Sequence, residues 1–423
     1  MTNNLFKRIA AFALCLAMLL SAAAFAETAA ETEEVISQKE YIGSFDLVKN
    51  TDRVDADALS AQSDTLMHTY VSAVPLSTYK TSPVALPKIT LNGVSSKTTD
   101  EELRFAKQMG YNHVELSFTD EELDDFEAMK ALVERVRNFE HGGFDIVMCT
   151  NGKIQKCTSI HLALEDRDDW IERTKTFMKN LAALECDTIC IAWQPYGISR
   201  SGDTPVMTNG AGFSANNVET VLDKPLKGDR LYTREEMWET YEYFINAILP
   251  TCEETGVRIA LHPNDPPVPY LDGIGSLIIS ADDYRRAFEI AGNSPYIGAK
   301  FCVGCALEGG VSFSDNLLAD LEDFISKGQI FQIHFRNVTG PIDQDYSGYF
   351  EECLAQDGYG DMYAIMKTII KAGFNDSIFC DHSWGGYDKE LLGAKTAMHV
   401  SNAWIQGLIY AARTEVGYEL MGR

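Results

Sequence analysis

The chain has 423 residues, 45% of them hydrophobic and 23% charged, enough for one large globular domain or two of medium size. Its formal net charge is −26. A surface this acidic repels phosphate backbones and anionic lipid, which argues against nucleic acid or a membrane surface as partner and requires local cations or a metal ion wherever an anionic small molecule is held.

Residues 1–26 place Lys7 and Arg8 ahead of the apolar run IAAFALCLAMLLSAAAF and end on Ala24-Phe25-Ala26. That succession predicts a secretory signal peptide, cleaved before Glu27, and hence an exported protein with no stable membrane partner after cleavage. A transmembrane anchor is the alternative, but the run is short for a span. Residues 27–84 are acidic and then rich in Ser, Thr, Asp and Ala with little periodicity, and read as a tail and a partly ordered lead-in.

From 85 to about 415 the chain alternates between two patterns. Short apolar, strand-like runs fall at 88–91, 113–118, 144–150, 188–193, 258–263, 297–304, 330–338 and 377–384. Between them, segments with helical periodicity span 99–109, 119–137, 166–184, 233–256, 280–292, 314–328 and 361–373, and a closing helix covers about 390–413. Ser or Thr before acidic first turns and Gly after last turns supply the caps. Eight β/α units with mostly apolar strands predict a (β/α)8 TIM barrel as a single catalytic domain over 85–415. An open doubly wound sheet is the alternative, but no G-x-G-x-x-G loop follows the first strand.

In such a barrel the chemistry sits at the C-terminal ends of the strands. The fifth run reaches His262 in LHPNDPP, the sixth Cys302 in KFCVGC, the seventh His334 in IHFRNV and the eighth Asp381 in FCDHSWGG. Two imidazoles, a thiolate and a carboxylate on consecutive strands can converge on one divalent cation, and that donor set favours a transition metal over magnesium. Taken singly, a histidine in an apolar strand is as well read as a hydrogen-bonded core residue.

Arg336 lies two residues beyond His334 in the same strand-like run, so it shares that strand face and offers a planar fork for a substrate carboxylate. His382 follows Asp381 and is a candidate acid or base near neutral pH. Glu352 and Asp357 belong to the loop after the seventh run, as a solvated acidic rim or as part of the site. Nine cysteines follow residue 26, and Cys149, Cys190, Cys302 and Cys380 lie inside apolar runs, where cysteine acts as a small hydrophobe or a metal ligand. The pair Cys302 and Cys305 is a redox or zinc half-site by spacing, with no second CxxC to complete a zinc cage.

The stretches MWETYEYFINAILPTCEETGVRIALHPNDPP, IHFRNV, FEECLAQDGYGDMYAIMKTIIKAGF and DHSWGG, within a match from about 158 to 412, resemble the mannonate dehydratase family. The resemblance implies a xylose-isomerase-like TIM barrel, a Mn2+ or Fe2+ ion, and loss of water from D-mannonate to give 2-keto-3-deoxy-D-gluconate. Carried over by motif, it implies His262, Cys302, His334 and Asp381 as metal ligands, Arg336 as the arginine of the H-x-R-N motif and His382 as the acid/base histidine. The family's proton-transferring tyrosine registers at His399, with Tyr387 a nearby substitute. The early segments KITLNGVSS and TNGKIQKCTSIH depart from the family's pattern. Two other classes fit the sequence: a metal-dependent sugar isomerase or epimerase on the same barrel, and a non-catalytic exported sugar-acid binding protein. A homo-oligomer is compatible with any of the three.

Overall fold

The computed structural model describes residues 84–208, 214–381 and 389–420. The predicted signal peptide and, but for Val84, the predicted lead-in lie outside the described residues.

Eight parallel strands close into a barrel: β1 (Lys88–Val94), β2 (His113–Phe118), β3 (Asp145–Asn151), β4 (Thr188–Ala192), β5 (Arg258–His262), β6 (Ile297–Cys302), β7 (Ile330–His334) and β8 (Ser377–Phe379). Around the barrel each strand pairs with its neighbours in sequence, and β1 closes the ring against β8. Helices α1 (Asp100–Gln108), α2 (Phe126–Arg137), α3 (Arg167–Ala183), α4 (Arg234–Thr255), α5 (Ala281–Ile290), α6 (Leu317–Ser326), α7 (Met362–Lys371) and α8 (Lys389–Leu420) follow the strands in turn. Local sequence sets their starts. In α1 and α4 a threonine side chain, Thr99 or Thr233, accepts the N–H three residues on, and Glu102 or Glu236 reaches back to the threonine N–H.

Several elements are shorter than the sequence predicts, and two of these differences matter here. The segment 119–137 is one 3-10 turn, Glu122–Asp124, and then α2, because Asp125 leaves the helical region and caps α2 by accepting the Ala128 N–H. The seventh run stops as a barrel strand at His334. Asn337 turns the chain away: its amide donates to the carbonyls of Ala355 and Gly360, and its Oδ1 accepts the N–H of Val338 and Gly360. Asn337–Val338 then pairs antiparallel with Tyr349–Cys353, which pairs with Ala215–Asn217 in a small three-stranded sheet. All nine cysteines after residue 26 are buried and unbridged.

Inside the barrel, one turn of strand below the C-terminal mouth, runs a polar chain. Lys300 on β6 meets Glu115 on β2 at 3.1 Å, Gln332 on β7 donates to the same carboxylate at 3.0 Å and to Ser377 on β8 at 2.9 Å, and Ser377 bonds Thr90 on β1. Removing one partner of a buried pair leaves an uncompensated charge. Lys300→Met is therefore expected to lower unfolding free energy by about 3–5 kcal/mol in urea titration, and Lys300→Met with Glu115→Leu to recover most of it. A Lys300→Met protein as stable as the parent would show that the pair is not held as an ion pair.

Candidate active site

The C-terminal mouth of the barrel is built from strand ends. β5 delivers His262, β6 delivers Cys302 and β7 delivers His334, which lies beside Cys302 on one side and Phe379 on the other. Asp381 stands two residues past β8 with φ +61°, in the left-handed region that a non-glycine residue rarely adopts, and such strain collects at functional sites.

The structure brings these four side chains together. His262 Nε2 is 3.2 Å from His334 Nδ1, His334 Nδ1 is 3.1 Å from Asp381 Oδ1, and Cys302 Sγ is 3.9 Å from Asp381 Oδ2. Ligand atoms of Cys302, His334 and Asp381 all lie within 4.8 Å of one another, as do those of His262, Cys302 and Cys305. His262 Nδ1 is 2.8 Å from the Pro263 carbonyl. A carbonyl can only accept, so Nδ1 carries the proton and Nε2 turns its lone pair to the cluster, as a metal-binding imidazole does.

Charge favours the same reading. Burial alone would keep Cys302 a thiol, but hydrogen bonding with Cys305, the Arg336 charge and contacts with both imidazoles hold its pKa well below the usual thiol value. Burial pushes Cys305 well up, and its hydrogen bond and charge interaction with Cys302 push it further. Burial lowers the His262 imidazole. For His334 burial acts the same way, but the charge and hydrogen bond of Asp381 together with the Cys302 hydrogen bond offset it and the net shift is upward.

Behind the cluster lies a carboxylate cage. Arg336 is fully buried, with Nε 3.1 Å from Asp381 Oδ2 and Nη2 2.6 Å from Glu308 and 3.3 Å from Asp265. Gly304 admits it, since a Cβ there would come within 2.4 Å of the Arg336 side chain. Arg200 pairs with Asp265 at 2.7 Å and with Glu352. Burial raises the Glu308 pKa well above the carboxylate range, against the pull of Arg336. Even without Glu308, three acids and the Cys302 thiolate face two guanidinium groups, and a divalent cation at the His262, Cys302, His334 and Asp381 donors would relieve that excess. The Asp265, Cys305 and Glu308 group also has metal-ligand spacing, but Arg336 already occupies it.

This corrects the reading of Arg336. It is not on a strand face, and its guanidinium is engaged by protein carboxylates instead of standing as an open fork. His399 does not reach the cluster: it is buried on α8, with its ring against Phe105 at 4.9 Å and Tyr111 at 5.4 Å in the helical layer. His382 and Tyr387 lie outside the described residues. Glu352 is fully buried in the cage, whereas Asp357 is exposed, outside it.

Sequence reading missed Asp265, Glu308 and Arg200. Asp265 stood in view in LHPNDPP, three residues past His262. A lone carboxylate in the apolar CVGCALEGG was a signal for Glu308, because a buried acid needs a partner. Nothing in GISRSG marks Arg200.

A family model described as D-mannonate dehydratase (UxuA) matches residues 215–408. The mannonate dehydratase of Lactococcus lactis subsp. cremoris is 26% identical over 295 residues, covering 61% of this chain and 79% of that protein. That of Brachyspira hyodysenteriae is 34% identical over 159 residues, 37% of this chain and 41% of that protein. The crystal structure of mannonate dehydratase from Streptococcus suis serotype2 superposes with a TM-score of 0.65 at 24% identity, covering 80% of this chain and 96% of that one, a likeness of fold. The chain is thus similar in sequence to mannonate dehydratases over the part that carries the four clustered residues.

Proposed function

We propose that this chain, a relative of the mannonate dehydratases, is a metal-dependent hydro-lyase that removes water from a sugar acid, with D-mannonate as substrate and 2-keto-3-deoxy-D-gluconate as product. The observation that carries the reading is the convergence of His262, Cys302, His334 and Asp381 at the mouth of the barrel. Imidazole and thiolate donors suit a transition metal, and the likeness to mannonate dehydratases points to Mn2+ or Fe2+, which would be held by His262, Cys302, His334 and Asp381. Such an ion supplies Lewis acidity toward a carboxylate and its neighbouring hydroxyl, whose oxygens gain negative charge when the adjacent proton leaves.

The protein's own groups do the rest. Arg336 fixes the Asp381 carboxylate through Nε, and the Pro263 carbonyl fixes the His262 tautomer. One group must take the proton beside the carboxylate and another must protonate the departing 3-hydroxyl, since hydroxide leaves poorly. His382 is assigned to one of these transfers by its place next to Asp381 in the chain, and Tyr387 to the other.

The test is a stripped protein, reloaded separately with Mn2+ and Fe2+ and incubated with D-mannonate and a panel of other hexonates. The expected product is lighter than D-mannonate by one water, and appears only in reloaded samples. A product of unchanged mass would replace the reading with an isomerase or epimerase. Tight hexonate binding with no metal and no turnover would replace it with a binding protein.

A further inference from the structure

If the substrate is a sugar acid, something must meet its carboxylate, and the structure removes the obvious choice. Among the described residues, the cations Lys156, Arg200, Lys300 and Arg336 have charges that act on Asp265 or Asp381. Arg200 and Arg336 are taken by Asp265, Glu308, Glu352 and Asp381, and Lys300 by Glu115. Lys156 alone of these four has a side-chain ammonium with no hydrogen bond or ion pair among the described residues, its backbone N–H being spent on the Gly152 carbonyl.

Its surroundings make that unusual. Lys156 is half-buried and follows the short helix Gly152–Gln155 that springs directly from β3. It follows the C-terminal end of β3 beside Gln155, which touches Cys190 on β4, and lies near enough to Asp265, Cys190, Arg200 and Asp381 for their charges to act on it, yet it reaches no carboxylate at ion-pair distance. Burial lowers its pKa, against the pull of Asp265. The backbone that carries it is pinned on both sides. Asn151 donates to the carbonyls of Phe118 and Thr119 and accepts the N–H of Lys153 and Ile154. Gln155 donates to Cys190 Sγ at 3.4 Å, and Thr158 donates to the Pro195 carbonyl at 2.8 Å. A partly desolvated ammonium on an anchored segment beside a site, with no carboxylate at ion-pair distance, is a binding group awaiting an anion.

We propose that Lys156 pairs with the carboxylate of the substrate, the role its sequence position suggested for Arg336. The inference rests on the sugar-acid reading above, and is tested apart from turnover. Binding is measured by calorimetry on the metal-loaded full chain, with the 3-deoxy analogue of D-mannonate, which has no 3-hydroxyl to lose, and with the primary amide of that analogue, which lacks the charge. Lys156→Met is expected to weaken binding of the acid by about ten- to a hundredfold, the effect of losing one charge-assisted hydrogen bond, and to leave the amide unaffected. Lys156→Arg should recover most of the loss, and metal content should match the parent in both variants. Undiminished binding of the acid by Lys156→Met, or an equal loss for acid and amide, would overturn the proposal while leaving the dehydratase reading in place. A parent protein that binds the acid no better than the amide would defeat the sugar-acid reading, and this inference with it.

Discussion

His334→Ala is expected to lose its divalent ion and all turnover. The imidazole stands between His262 Nε2 at 3.2 Å and Asp381 Oδ1 at 3.1 Å, so its removal opens the middle of the donor set as well as deleting one ligand. Substitutions outside the ligands typically cost about 10–100-fold in metal affinity, and loss of a ligand should exceed that. Cys302→Ser should behave alike, since a serine hydroxyl is a harder ligand and far less acidic than a thiol already favoured as thiolate. Cys305→Ser should keep the ion. Elemental analysis of dialysed protein, with circular dichroism to confirm the fold, is the measurement. Parent-level metal in both His334→Ala and Cys302→Ser would remove the site.

Arg336 should fail differently. Its guanidinium is fully buried and touches Asp381, Glu308 and Asp265, so Arg336→Met strands several carboxylates without a counter-charge. The expected loss in unfolding free energy is at least about 3–5 kcal/mol. Arg336→Lys keeps the charge, but a compact ammonium cannot reach Asp381 from Nε and Glu308 from Nη2 at once, so an intermediate loss of about 2–3 kcal/mol is expected. Metal affinity should also fall in Arg336→Lys, because Asp381 loses the group that orients it. Urea unfolding of stripped and loaded protein separates the two effects. An Arg336→Met variant unfolding at the parent's urea midpoint would mean that the cage is held by something other than its guanidinium.

The two residues at the centre of these experiments mark how far the sequence could be read. The barrel was legible because strands and helices announce themselves locally, through apolar runs and caps such as Thr99 with Glu102. His262, Cys302, His334 and Asp381 were legible because a closed barrel turns strand ends into neighbours. Arg336 was not, since its role depends on where the strand stops, and the stop is made by the Asn337 side chain reaching Ala355 and Gly360. Its partners Asp265 and Asp381 lie 71 and 45 residues away along the chain, and no local pattern encodes such pairings. His399 was misplaced for a related reason: motif spacing fixes position along α8 but not which side of the helix faces the barrel.

The small sheet above the barrel bears on how this enzyme could be re-engineered. Tyr349 pairs with Asn217, Phe350 with Asn216 and Glu351 with Ala215, while Glu352 clasps Arg200 across the same two loops. The Glu351 carboxylate also gathers the N–H groups of Val206, Met207 and Thr208. The loops after β4 and β7 are therefore one interchangeable part. A chimera that imports either loop alone from a relative of different specificity would arrive with its ladder unmatched and Arg200 or Glu352 without its counterpart, so the two must be transplanted as a pair.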